Sequence, residues 1–344
     1  MSGVICEQER EATLSADFFL PLEERLKNKQ KVKSRKIILI AGPTACGKTA
    51  LSLLLASALK GEIITADSMQ IYRGMDIGTA KVSEEDQKRI PHHLIDIREP
   101  HETFNVVDFY YEAKKCCESI LARDRVPIIV GGSGFYFRSL LYGPPSGPPS
   151  IPEVRHSLER EMERLGSEAL YEKIKAYDSK YAATITCNDK QKIIRALEII
   201  VISGEKVSEL SWQHNEVLSD YLYHPWFVYR PRRVLYSRIE ARCDQMLEVG
   251  LVDEVRELEK KGIDLNPSAS QAIGYRQCLD FLHSSQTEGD YKKFVRKFKT
   301  ASRQYAKRQF TWFRKEPLFR WLNIETHDFE IAADVIMKDY TETT

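Results

Sequence analysis

The sequence lacks long hydrophobic runs and paired cysteines. No apolar stretch approaches the ~20 residues needed to span a bilayer, and the N-terminus has no charged-then-apolar secretory pattern. The seven cysteines are odd in number and none forms a C-x-x-C pair, which argues against a zinc site and a disulfide framework. We therefore expect a cytoplasmic protein with reduced thiols that does not enter a membrane.

Neither sign of charge is in excess. The 51 basic residues balance 50 acidic residues, so the formal net charge is +1 at pH 7. Nucleic-acid binding would therefore depend on a local basic patch. A content of 42% hydrophobic and 10% aromatic residues is typical of a globular protein and excludes a fibrous or disordered chain. A chain of 344 residues is long for one core, which favours a main domain with a second module.

The most informative motif is the segment 42–49, Gly-Pro-Thr-Ala-Cys-Gly-Lys-Thr, which fits the pattern G-x-x-x-x-G-K-[ST]. It follows the apolar run 36–41 and precedes the helical run 51–59, so it has the strand–loop–helix context that such a motif requires. Its backbone N–H groups can surround phosphate oxygens, Lys48 adds a charge, and the Thr49 hydroxyl can hold Mg²⁺. The motif predicts a site for a phosphorylated ligand; the alternative is a chance match in an ordinary turn.

Strands and helices alternate from residue 36 onward. Apolar runs predict strands at 36–41, 62–66, 126–130, 226–229 and 319–322. This alternation predicts an α/β fold in which a parallel, P-loop NTPase-like sheet is covered by helices. The Pro- and Gly-rich segment 143–152 interrupts the pattern and marks a boundary. We expect an N-terminal extension (1–35), a catalytic core with C-terminal helices (36–150 and 216–344) and a small all-helical insertion domain (151–215).

The acidic residues near the strand ends indicate which kind of reaction the site supports. A kinase or ATPase usually has an acid after a second strand, but strand 126–130 is followed by Gly-Gly-Ser-Gly. Asp67 directly follows strand 62–66, at the edge where parallel sheets bind ligands, and its carboxylate could act as a general base. The alternative for Asp67 is an ordinary helix cap.

Eight segments in order resemble the tRNA dimethylallyltransferases, which are also called tRNA isopentenyltransferases. The matching segments are 42–49, 67–72, 74–81, 91–96, 131–136, 189–198, 271–276 and 303–312. The resemblance implies transfer of a dimethylallyl group from dimethylallyl diphosphate to N6 of the adenine on the 3′ side of the anticodon, with release of diphosphate. It also implies Mg²⁺ as cofactor, the tRNA anticodon stem-loop as partner, and a monomer.

The resemblance also implies roles for individual residues. Asp67, Lys48 and Thr49 would be catalytic, and Thr49 would hold the metal. The diphosphate would be bound by Gly42, Pro43, Thr44, Ala45, Cys46, Gly47, Lys48, Thr49, Arg232 and Arg238. The tRNA would be bound by Asp67, Ser68, Met69, Gln70, Ser133, Arg155, Gln191, Lys192, Ile193, Ile194, Arg195, Gln271, Ala272, Ile273, Gly274, Tyr275 and Arg276.

The segment 291–315 is the local basic patch. It contains no Asp or Glu, and its lysines and arginines interleave with aromatic residues. Such a segment suits a phosphate backbone, although a long helix with a solvated cationic face and an aromatic core face gives the same pattern.

Two positions depart from the family pattern, and three other functions compete. Ser133 stands where the family commonly has Thr, and Cys46 stands where it often has Ser and is expected to be oxidisable. No paired cysteines or histidines follow Arg276, so we expect the bacterial type without a zinc-finger tail. The alternatives are prenylation of free adenine nucleotides, a small-molecule P-loop kinase and a non-catalytic RNA-binding protein.

Overall fold

A six-stranded, entirely parallel sheet organises the molecule. The computed structural model describes residues 35–210 and 221–342. The strand order is β3-β2-β4-β1-β5-β6. The strands are β1 (Lys36–Ala41), β2 (Gly61–Ala66), β3 (His92–His93), β4 (Val126–Gly131), β5 (Leu222–Tyr229) and β6 (Arg320–Asn323). The predicted α/β class is confirmed, whereas the predicted extension 1–35 lies outside the described residues except for Arg35.

The central strands form where the sequence is continuously apolar. Every residue of β2 is buried, as are the last five residues of β1 and of β4, because helices cover both faces of the sheet. The strand β5 begins four residues before the predicted start, and it includes Pro225. β6 pairs only with residues 226–229 of β5, so Pro225 lies where β5 has no neighbour on that side and a proline is tolerated.

Fourteen helices surround the sheet and form the insertion within the described residues. In chain order they are α1 (Lys48–Leu59), α2 (Glu84–Arg89), α3 (Val106–Leu121), α4 (Gly134–Tyr142), α5 (Pro152–Leu165), α6 (Ser167–Tyr177), α7 (Ser179–Ala182), α8 (Lys190–Ser203), α9 (Arg232–Glu248), α10 (Leu251–Lys260), α11 (Pro267–Ser270), α12 (Tyr275–Leu282), α13 (Glu288–Phe313) and α14 (Phe329–Glu342).

Helices α5 to α8 form the small helical insertion. They pack around a hydrophobic core of their own, which is separate from the core beneath the sheet and includes Leu158, Leu170, Ile174 and Ile193. The apolar stripes of the sequence supply these residues at helical spacing. Two modules with separate cores are therefore present, and residues 211–215 of the predicted insertion lie outside the described residues.

Candidate active site

The loops after β1, β2 and β4 meet at one edge of the sheet. β4 lies between the other two strands, and its last residue, Gly131, is level with Ala41 and Ala66. Neighbouring strands are about 4.8 Å apart, so the loop after β1 and Asp67 after β2 are about 10 Å apart across β4. A Cβ atom at Gly131 would lie 1.9 Å from the Ala66 carbonyl oxygen, so glycine is required there.

The phosphate loop, residues 42–49, bends sharply into α1. Ala45 and Gly47 both have left-handed backbone conformations, with φ of 62° and 111°. The Lys48 Nζ atom donates to the carbonyl oxygens of Gly42 and Pro43, at 2.9 Å each. Burial lowers the pKa of the Lys48 ammonium group. The first turn of α1 contains no acid, so the positive end of the helix dipole is directed at the loop without a compensating charge in that turn.

A cavity of about 430 Å³, here called the phosphate-loop cavity, lies in front of this loop. Of the residues predicted for the site, its wall contains Thr44, Ala45, Gly47, Lys48, Thr49, Asp67, Gln70 and Arg238. The other three residues of the motif are buried, namely Gly42, Pro43 and Cys46. The exposed surface of the predicted diphosphate site is therefore made by the second half of the motif.

A second cavity of about 330 Å³ adjoins the first. Its wall contains the predicted tRNA-binding residues Ser68, Met69, Gln271, Ala272, Ile273 and Tyr275. Apolar side chains, among them Ile239, Met246 and Phe298, complete it. Six residues line both cavities: Thr44, Ala45, Asp67, Thr79, Arg242 and Tyr305. The polar phosphate-loop cavity and the less polar second cavity therefore meet at a junction that contains a carboxylate, a guanidinium group and a phenol.

Asp67 is held at this junction by its own backbone turn. Its Oδ1 atom accepts the backbone N–H of Met69 at 2.9 Å, which is an Asx turn. The alternative interpretation as a helix cap is wrong, because the next helix, α2, begins only at Glu84. One carboxylate oxygen thus fixes the side chain of a residue that lines both cavities.

Two arginines of α9 line the cavity, but they are not the predicted pair. Arg238 donates from Nε to the carbonyl oxygen of Ala45 at 3.0 Å. Arg242, one helical turn later, lines both cavities; burial lowers its pKa, and the charge of Asp67 opposes this shift. Arg232 is exposed and stacks on Tyr236, with 5.0 Å between the guanidinium carbon and the ring centroid. The structure therefore brings Arg242 to the site and leaves Arg232 outside it.

Comparison with known proteins identifies the family. Residues 70–316 match the IPP transferase family. The chain belongs to the IPP transferase family. It is 58% identical over 335 residues to the tRNA dimethylallyltransferase of Protochlamydia amoebophila, and the match covers 97% of each chain.

Two solved structures of this family have the same fold. The full-length tRNA isopentenylpyrophosphate transferase from Bacillus halodurans is 38% identical, with a TM-score of 0.65, over 90% of this chain and 97% of that one. A eukaryotic dimethylallyltransferase acting on tRNA is 26% identical, with a TM-score of 0.74, over 90% of this chain and 81% of that one. The resemblance that the ordered motifs indicated is confirmed.

In this member of the family, the sequence analysis missed two residues of the site. Tyr305 completes the junction, and Glu254 supports its wall. Burial and the charge of Asp67 raise the pKa of the Tyr305 hydroxyl, which also interacts with Ser133; Tyr305 thus remains a proton donor. Ser133 Oγ accepts the backbone N–H of Ser68 at 3.3 Å. The Glu254 carboxylate lies farther from the junction and supports one wall.

Glu254 accepts the backbone N–H groups of Asp76, Ile77 and Gly78 at 3.0, 2.6 and 3.1 Å. It also accepts the hydroxyl of Tyr275 at 2.6 Å. Three of these four hydrogen bonds fix the loop whose next residue, Thr79, lines both cavities, and the fourth ties the loop to Tyr275. No local pattern in the sequence predicts this contact, because the partners are 176 to 178 residues apart in the chain for the backbone bonds.

The insertion residues predicted to bind tRNA lie on α5 and α8. Arg155 donates to Gln191 at 2.5 Å, and Arg195 donates to Glu198 at 2.8 Å and to the carbonyl oxygen of Pro148 at 2.6 Å. The side chains of Gln191 and Lys192 are exposed, whereas those of Ile193 and Ile194 are buried at 0% and 3% exposure. The two isoleucines therefore support this surface from inside, and their side chains are not available to a ligand.

The basic segment forms most of α13, and four of its ten lysines and arginines are paired with carboxylates. Ion pairs join Lys292 to Glu288, Lys297 to Asp280, Lys299 to Asp244 and Arg303 to Glu240. Within residues 35–210 and 221–342, no carboxylate pairs with the exposed Lys307, Arg308, Arg314 or Lys315 near the C-terminal end of α13. Phe298 and Phe313 are core residues, so the aromatic face of the helix packs inward as expected, and contact of the cationic face with RNA stays a prediction.

Three further findings concern Cys46, metal ligands and membrane-spanning helices. Cys46 is 0% exposed, so the predicted oxidisable thiol is not accessible, and this expectation is wrong. No group of three or more His, Cys, Asp or Glu side chains that could hold a metal occurs in the described part of the chain. None of the helices in residues 35–210 and 221–342 combines the length and hydrophobicity that crossing a bilayer requires.

Proposed function

We propose that the protein transfers a dimethylallyl group from dimethylallyl diphosphate to N6 of the adenine on the 3′ side of the anticodon in tRNA, and releases diphosphate. The observation that carries this proposal is the junction at which the phosphate-loop cavity and the second cavity meet beside Asp67 and Arg242. A relative named tRNA dimethylallyltransferase, which is identical to this chain at more than half of the aligned positions, supports tRNA as the acceptor.

The donor diphosphate would occupy the phosphate-loop cavity. Lys48 would exchange its two carbonyl contacts for phosphate oxygens, and the N-terminus of α1 would face the same charge. Arg238 and Arg242 would stabilise the negative charge that develops as the C–O bond of the donor breaks. Because the leaving group carries the charge, these cations lower the barrier more than they strengthen substrate binding.

The donor set of the cavity fits Mg²⁺. Thr49 presents a hydroxyl oxygen to the cavity, and two phosphates would add more oxygen atoms, which is the kind of site that Mg²⁺ prefers. The ion would supply additional charge to stabilise the departing diphosphate.

The adenine would leave the anticodon stack and enter through the second cavity. There Asp67 would accept a hydrogen bond from the N6 amine. As the electron pair of the C–O bond leaves with diphosphate, the N6 lone pair forms the new C–N bond and the N6 proton passes to the Asp67 carboxylate. Tyr305 lines both cavities and interacts with Ser133, which accepts the Ser68 N–H, and these two residues would help to hold the base edge in place.

The competing functions fit the site less well. A kinase is disfavoured because β4 is followed by Gly132 and Ser133 rather than by an acid. A mononucleotide acceptor would need neither the helical insertion nor the free cations of α13. We also propose that the protein acts in the cytoplasm. We propose that it is a monomer, because residues of one chain line both cavities.

The test is a transfer assay with labelled dimethylallyl diphosphate, Mg²⁺ and either unmodified tRNA or AMP. We expect label on tRNA, at N6 of one adenosine identified by nucleoside mass spectrometry. Lys48→Met should abolish transfer, and Lys60→Met, an exposed residue just after the other end of α1, should not. Label on AMP alone would contradict the proposal.

A further inference from the structure

The side chain of Gln309, on α13, bridges two loops at the sheet edge. Its Oε1 atom accepts the backbone N–H of Thr44 at 3.0 Å, and its Nε2 atom donates to the backbone carbonyl oxygen of Gly132 at 3.0 Å. The residue is 5% exposed and lines the phosphate-loop cavity. The orientation of the amide is fixed by its partners, since a backbone N–H can only donate and a carbonyl oxygen can only accept.

Both contacts are built closely around the amide. A Cβ atom at Gly132 would lie 2.1 Å from Gln309 Nε2, so glycine at this position makes room for the side chain. Neither a carboxylate nor an apolar side chain of the same length satisfies both partners. Glutamate would direct an oxygen at the Gly132 carbonyl oxygen, and methionine would leave both backbone groups without a partner.

The contact with Thr44 also determines which loop atoms are available to a ligand. The Thr44 N–H is turned toward Gln309, so the ligand is bound by N–H groups farther along the phosphate loop. The Gly132 contact anchors the same amide to the end of β4. The phosphate loop is thereby held at a fixed position relative to β4, on whose far side Asp67 lies.

We infer that Gln309 is a positioning residue, which keeps the phosphate loop in the geometry that binds the donor diphosphate. The inference rests on the proposed function for the identity of that ligand. Gln309 acts through the backbone of the loop and not on the reacting atoms. Its removal should therefore weaken donor binding and leave tRNA affinity unchanged.

The experiment compares wild type, Gln309→Met, Gln309→Glu and the control Gln304→Glu, which alters an exposed glutamine of the same helix. Calorimetry measures binding of inorganic diphosphate with Mg²⁺, and steady-state kinetics give KM for each substrate. We expect the dissociation constant for diphosphate and KM for dimethylallyl diphosphate to rise about tenfold in Gln309→Met, because buried backbone groups lose their partners. The neutral variant separates this effect from the charge repulsion that Gln309→Glu adds.

The outcomes are distinguishable. Diphosphate binding by Gln309→Met at the wild-type level would overturn the inference alone, whereas no binding by wild type would overturn the donor site and the inference together. If neither Gln309 variant folds, hydrogen exchange in the wild-type protein decides the question: we expect the Thr44 amide to be protected in the free enzyme, and exchange as fast as in an exposed loop would overturn the inference.

Discussion

At the scale of single residues, Asp67 has two separate tasks, and its two carboxylate oxygens divide them. Oδ1 closes the turn with the Met69 N–H, which orients the side chain before any substrate arrives. We expect the other oxygen to act on the acceptor at the junction, where Arg242 adds positive charge and Lys48 lies in the adjoining phosphate-loop cavity. Asparagine retains the turn and removes the base, whereas alanine removes both, so the two substitutions separate structure from chemistry.

We expect Asp67→Asn to lower the single-turnover rate by about 10²–10⁴-fold, which is the usual contribution of a general base. The affinity for tRNA should change by less than about twofold, because the turn is preserved. Rapid-quench measurement of the rate and filter binding of tRNA check both statements, with the exposed Asp264→Asn as control. A wild-type single-turnover rate in Asp67→Asn would remove this residue from the chemistry.

At the scale of elements, the last helix fixes the side of the sheet that carries the phosphate loop. α14 packs against α1, and Phe329 lies so close to Gly47 that a Cβ atom there would come within 2.8 Å of its ring. Asp339 of α14 joins this helix to β5 through His224, at 2.8 Å, and to β6 through Arg320. This one carboxylate therefore connects three elements behind the active site.

The Asp339 ion pairs predict a defined dependence of stability on pH. Hydrogen bonding to Arg320 lowers the pKa of Asp339 to about 2, and its stabilising contribution is therefore present above about pH 4 and lost as pH falls toward about 2. We expect Asp339→Asn to lower the free energy of unfolding by about 2 kcal/mol near pH 6, with the difference disappearing toward about pH 2. Urea unfolding at a series of pH values measures this.

Asp334→Asn is the matched control, since Asp334 is exposed on the same helix. It should leave both the stability and its pH dependence unchanged. An equal difference between wild type and Asp339→Asn at every pH would show that the ionisation of Asp339 contributes nothing.

The elements differ in how well the sequence predicts them. β1, β2 and β4 are predicted to within one residue, because a strand buried on both faces is a continuous aliphatic run. β3 has only two residues, both histidines, and no periodic pattern can indicate it. For the site, motifs identify the loop and Asp67, and the i, i+4 spacing of Arg238 and Arg242 was an available signal.

Other site residues depend on tertiary structure alone. Gln309 is 265 residues from its partner Thr44, and Glu254 is similarly remote from the loop it holds. Contacts of this range arise only when α10 and α13 pack against the core. Their residue types, an amide and a carboxylate on otherwise ordinary helices, carry no local signal.

At the scale of the whole molecule, charge is balanced overall and segregated locally. A net charge of +1 gives little long-range attraction for a polyanion. Attraction must come from cations that lack acidic neighbours, and ion pairs with Glu288, Asp280, Asp244 and Glu240 remove much of the N-terminal part of α13 from that set. The exposed Lys293 and Arg296 remain, together with the C-terminal part of α13, which adjoins the second cavity through Arg308.

The salt dependence of binding tests this division of α13. Raising KCl should weaken tRNA binding far more than binding of dimethylallyl diphosphate, because the RNA releases many more counterions. Lys307 and Arg314 are both exposed near the C-terminal end of α13, so we expect the double variant Lys307→Ala, Arg314→Ala to make the negative slope of log K against log[salt] shallower by about two. Lys292→Ala is the control, since its ammonium group is already paired with Glu288, and it should leave the slope unchanged. Equal slopes in all three proteins would place the RNA elsewhere. A slope that becomes shallower only in Lys292→Ala would show that the N-terminal half of α13, and not its C-terminal half, contacts the RNA.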